Sequence, residues 1–61
     1  MGVKAGDRYK VNDRDQGTLF GTVGKDTDET DPAWPMVPFQ FDGEPPIMVN
    51  ITHLTLVPKD N

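Results

Sequence analysis

Six prolines and six glycines are spread through this 61-residue chain, and no helical period survives between them. What remains is apolar alternation, and a period of two is the mark of half-buried strands. After the Gly6-Asp7 turn, residues 8–11 alternate, which places Tyr9 and Val11 on one face. Residues 12–17 are polar turn formers. Residues 18–23 read as a second strand, with Gly21 as a bulge or sharp bend. Residues 24–31 contain no apolar side chain and read as an acidic loop, taken as 24–33 overall.

A third strand is expected over residues 34–42, with Val37, Phe39 and Phe41 inward and Met36, Pro38 and Gln40 on the other face. Pro35 and Pro38 have no amide hydrogen to donate, so the early part of this strand should be an edge or irregular. Asp42-Gly43 is a hairpin turn signal. Residues 47–51 read as a fourth strand with Ile47, Val49 and Ile51 inward. Residues 52–54 read as one 3-10 turn, and residues 54–57 as a short fifth strand stopped by Pro58.

Five short strands on so little core leave a liability at their open edges, and curling into a small barrel removes most of it. The expected core is Tyr9, Val11, Leu19, Val23, Val37, Phe39, Phe41, Val49, Ile51, Leu54 and Val57. The expected organisation is one domain over residues 1–61, with 1–5 and 59–61 frayed. A chain of this size buries only about 60% of its unfolded surface, so its large apolar residues are needed for the core. Little is left to shape a deep substrate pocket. The expectation is a binding domain without catalysis and without a cofactor.

With no cysteine, thiolate metal sites, cysteine nucleophiles and disulfides are excluded. No stretch approaches the roughly 20 apolar residues of a membrane span, and residues 1–7 carry no apolar run of the signal-peptide kind. The expectation is a soluble cytoplasmic protein. The net charge of −4 is unevenly spread. Lys4, Arg8, Lys10, Arg14 and Lys25 oppose Asp7, Asp13 and Asp15 to leave residues 1–25 at +2. Only Lys59 opposes seven acids over residues 26–61, which stand at −6. A protein partner with a mixed or basic surface is favoured over a bare polyanion.

The run Gly6-Asp7, Tyr9, Val11, then Gly21-Thr22-Val23, residues 37–43, Val49-Asn50-Ile51 and Leu54 with Val57 resembles the KOW-type SH3-like barrel. The resemblance covers about residues 6–58. It implies a five-stranded small barrel with a short 3-10 turn before the last strand, and a role in binding protein or RNA. The glycine-proline-aromatic tip of that family's first loop is replaced here by Asp13-Arg14-Asp15-Gln16-Gly17.

Trp34, Phe20, Met36 and Tyr9 are the candidate partner-binding residues, since aromatics and methionine anchor interfaces. The opposing reading places Trp34 and Phe20 over the two barrel ends as core. The alternative function is a KOW-like nucleic-acid, ribosome- or transcription-associated module using Arg8, Lys10, Arg14 and Lys25. A structural subunit of a larger assembly, such as a virion, is also compatible.

His53 lacks a nucleophile or orienting carboxylate in its sequence context and reads as a turn residue. Asp26, Asp28, Glu29 and Asp31 lack the glycine and glutamate spacing of a calcium loop and read as solvated. The two PxxP matches over residues 32–38 run into core positions of the third strand. Asn50-Ile51-Thr52 matches a glycosylation sequon that has no secretory signal to use it.

Overall fold

The computed structural model describes residues 2–58 and is all-β. Its strands are β1 (Gly2–Val3), β2 (Arg8–Asp13), β3 (Gly17–Val23), β4 (Thr27–Asp28), β5 (Met36–Phe41), β6 (Ile47–Asn50) and β7 (Thr55–Leu56). A single 3-10 turn spans Ile51–His53. Five strands form one antiparallel sheet in the order β6-β5-β3-β2-β7, and β1 pairs with β4 in a second, two-stranded sheet. The large sheet is open rather than closed into the expected barrel. Strands β6 and β7 are its two edges and share no ladder among the described residues. With only four and two residues, these end strands offer little backbone with which to close a ring.

The β2–β3 hairpin runs in unbroken register from Arg8↔Thr22 to Asp13↔Gly17. Its three-residue loop is held by Asp13, whose carboxylate accepts from the amides of Asp15 (2.7 Å) and Gln16 (3.1 Å). Gly17 follows at φ +80°, the left-handed residue that such a loop needs. Gly21 makes no bulge, because the register is continuous on both of its sides. Its role is steric: a Cβ there would stand 2.4 Å from the Phe39 ring and 2.6 Å from the Gln40 carbonyl oxygen. The missing side chain is the seat of the core's central ring.

The early part of the third strand, expected to be an edge or irregular, is irregular through Pro35, and β5 itself is interior despite Pro38. The amide of Asp42 donates to the Phe20 carbonyl and that of Gly24 to the Pro38 carbonyl, so the even residues of β5 turn their backbone toward β3. Pro38 lies opposite Gly24, one residue beyond the end of β3. Its missing donor therefore falls where the ladder has already ended. The strand begins at Met36 rather than residue 34. Residues 28–34 are bound into consecutive turns by Asp31 N–H to Asp28 O (3.0 Å) and Trp34 N–H to Asp31 O (2.9 Å).

The buried core is Val3, Val23, Val37, Phe39 and Ile51. Tyr9, Trp34, Phe41, Val49 and Leu54 pack against it, half-buried. Phe39 and Phe41 meet edge to face at 5.0 Å and 82°. Of the other expected core residues, Val11, Leu19 and Val57 are only partly buried. Ile47 is exposed, because its pair with Phe39 is the last rung at a free edge of the sheet.

Val3 was expected in a frayed end and is instead core. It pairs with Thr27, and Gly2 with Asp28, which makes a short strand within the expected acidic loop. The approach requires glycine: a Cβ on Gly2 would lie 2.4 Å from the Thr27 carbonyl oxygen. The expected fraying of residues 59–61 lies outside the described residues.

Candidate functional site

Alternation along the ladders divides the large sheet into two faces. The core face carries Tyr9, Gly21, Val23, Val37, Phe39 and Phe41. The outer face carries Arg8, Lys10, Phe20, Thr22, Met36, Pro38, Gln40 and Met48, since Arg8 pairs with Thr22, Lys10 with Phe20, Thr22 with Gln40 and Pro38 with Met48.

The four candidate partner-binding residues separate between these faces. Trp34 and Tyr9 are half-buried and lean on the core. Together with Val3, Ile51 and Thr52 they line a shallow cleft of about 200 Å³. Strand alternation alone would point Trp34 outward beside Met36, against the reading that folds it over the core. The turn over residues 28–34 brings it to the core instead, because period two does not extend across a turn. Burial raises the Tyr9 phenol above its ordinary range, and the nearby Asp7 carboxylate adds to the effect.

Phe20 and Met36 both stand on the outer face, at 41% and 42% exposure. They are not neighbours. The Asp42 N–H to Phe20 O bond sets Phe20 beside Asp42, six residues along the chain from Met36, a separation on the order of 20 Å in extended chain. The neighbour of Met36 that the sequence reading passed over is Met48, which is 51% exposed and opposes Pro38. Met36, Pro38 and Met48 make one sulfur-rich apolar patch across β5 and β6. The signal for it was present, because Met48 is out of phase with Val49 and in phase with Met36 across the hairpin.

The four basic candidates are dispersed. Arg8 is held by Asp42 through two bonds of 2.8 Å and by the Thr22 hydroxyl at 2.7 Å. The hydrogen bonds from Arg8 keep the Asp42 carboxyl below its ordinary range, and the guanidinium charge acts in the same direction. Lys10 is partly buried on the outer face. Arg14 and Lys25 are exposed at opposite ends of β3, on different loops.

The acidic segment is used by the backbone. The Asp28 carboxylate accepts from the Thr30 hydroxyl and amide, which lowers its pKa. Asp31 accepts from the Ala33 amide at 2.8 Å, and Asp26 from the Ala5 amide at 2.8 Å. Among the described residues no group of three or more acids, histidines or cysteines is placed to hold a metal ion. Asn50 of the sequon caps the 3-10 turn, accepting from the Thr52 amide at 3.0 Å. His53 is exposed in that turn and forms no ion pair among the described residues. Among the described residues no helix is long and apolar enough to cross a membrane. Comparison with family models, curated proteins and solved structures gives no match for the chain.

Proposed function

We propose that this chain is a non-catalytic module that docks on a larger protein through the outer face of its sheet, with Met36, Pro38 and Met48 at the centre. The observation that carries the reading is the company these residues keep. Of the five exposed large hydrophobics among the described residues, Phe20, Met36 and Met48 stand on the face opposite the core, while Ile47 and Leu56 lie at the two sheet edges. A core this small gains from each apolar side chain it recruits, so exposed methionines on the wrong face call for a use outside folding. Methionine is flexible and polarisable, which suits an adaptable contact. A standard interface takes about 800 Å² per partner, a sizeable part of the 4575 Å² surface.

The strand order, with a meander β2-β3-β5-β6, a 3-10 turn and a last strand returning to β2, supports assigning the fold to the SH3-like kind in an open form. Such domains serve many functions, so the functional reading rests on the patch and not on the fold.

The test is affinity capture from native lysate with the wild-type chain and with Met36→Glu/Met48→Glu. A specific partner retained by the first and lost by the second, with both proteins folded, is the expected result. Equal recovery by both would overturn the assignment.

A further inference from the structure

Strand β3 is paired on one side along its length and on the other along only part of it. Its ladder with β2 reaches from Thr22 back to Gly17, whereas its ladder with β5 covers Gly21 to Val23 only. The bond from Asp42 N–H to Phe20 O is the last on that side, after which the chain turns away at Gly43. The amide of Val23 donates to Asp7 O, on the β2 side, so the odd residues of β3 point their backbone that way and the even residues point toward β5. The N–H and C=O of Thr18 and the N–H of Phe20 therefore face a lane that β5 has vacated.

That lane is shaped. A groove of about 460 Å³ runs along it, lined by Thr18, Leu19, Phe20, Phe41, Asp42 and Glu44. Leu19 and Phe41 come from the core face and Phe20 from the outer face. An extended chain in the lane would rest alternate side chains on apolar surface to either side, with three backbone groups ready to bond it. The described lining includes two carboxylates and no cation. Arg8 already holds Asp42, and Glu44 forms no ion pair among the described residues. A second copy of this chain would bring another −4 against the same rim, so self-pairing is opposed by charge.

We infer that the lane beside Thr18 and Phe20 accepts one extended strand of a partner protein, with a lysine or arginine to meet Glu44. This surface is separate from the methionine patch, and its test is read independently of that one. The full chain, labelled with nitrogen-15, is titrated with the capped peptide KVTVKV and with its acidic counterpart EVTVEV.

The expected result is that the basic peptide shifts the Thr18 and Phe20 amide signals and slows their hydrogen exchange, with the acidic peptide about tenfold weaker or more. Thr18→Pro removes a backbone donor from the vacated side, together with the exposed hydroxyl bond to Asn12, and should weaken the basic peptide about tenfold. Glu44→Lys, at an exposed position, should reverse the preference between the peptides even if the proline variant fails to fold. Met36→Glu/Met48→Glu should leave the titration unchanged. Equal response to both peptides, shifts confined to other residues, or no response at millimolar peptide would overturn the inference. So would a concentration-dependent dimer that protects Thr18 and Phe20 without peptide, which would give the lane to a second copy.

Discussion

Replacing Gly21 by alanine separates packing from propensity, because the two predict opposite signs. As a strand residue, glycine is the less favourable by about 0.5–1 kcal/mol, so propensity alone makes Gly21→Ala stabilising. The structure requires the reverse. The added carbon would stand 2.4 and 2.5 Å from two atoms of the Phe39 ring and 2.6 Å from the Gln40 carbonyl oxygen. Ordinary carbon contacts lie at about 3.5–4.0 Å, so the ring would have to retreat by more than about 1 Å. It has nowhere to go: Phe39 is 1% exposed, and it meets Phe41 on one side and the Val23–Val37 core on another.

Overpacking by one methyl typically costs about 1–3 kcal/mol, and a carbonyl oxygen in a ladder yields less than a side chain. The expected loss is therefore near the upper end, about 3 kcal/mol. A chain of this length has roughly 3–9 kcal/mol in total, so a large part of its stability goes. Urea unfolding followed by Trp34 fluorescence measures it. In the Phe39→Leu background the shorter side chain relieves the clash, and the cost of Gly21→Ala should fall by about 1 kcal/mol or more. A stabilised or unchanged Gly21→Ala protein would refute the reasoning.

Gly43→Ala should cost about 1 kcal/mol in the same urea assay, for conformation alone, since φ is +80° and nothing lies within 4 Å of the added carbon. Val3→Ala should cost about 2 kcal/mol, because the side chain is buried in the core by a strand of only two residues; no change would return residues 2–3 to a frayed end. Asp42 makes stability pH-dependent with a definite sign: its folded pKa lies below the unfolded one, so its contribution is complete above about pH 4 and is lost as pH falls through the lowered folded value. Acid titration of wild type against Asp42→Asn should show a flatter acid limb in the variant.

The parts of the fold legible in the sequence are those with local alternation. Strands β2, β3 and β6 fall close to where period two places them, and both hairpin turns sit on their glycines. The sequence left Trp34 open between an outward and a core-covering position, because alternation carried upstream from β5 points it outward whereas its backbone belongs to the turns bonded through Asp28 and Asp31, which lean it on the core. Val3 carried no signal. A two-residue strand cannot alternate, and its partner Thr27 is remote in the chain, inside a run of acids. The interior position of β5 was hidden for a related reason: a proline forbids a donor on one side only, and which side depends on where β3 ends. In the candidate site, the outward phase of Phe20 and Met36 was visible. Their separation was not, because it depends on the relative register of β3 and β5.

The central claim is that Met36 and Met48 are exposed to be covered by a partner. Their thioethers report this directly, because mild peroxide converts accessible methionine to the sulfoxide. The free protein should be oxidised at both positions at similar rates, and the captured complex should be protected at both, as read by peptide mass. Both methionines oxidising in the complex as fast as in the free chain would contradict the account.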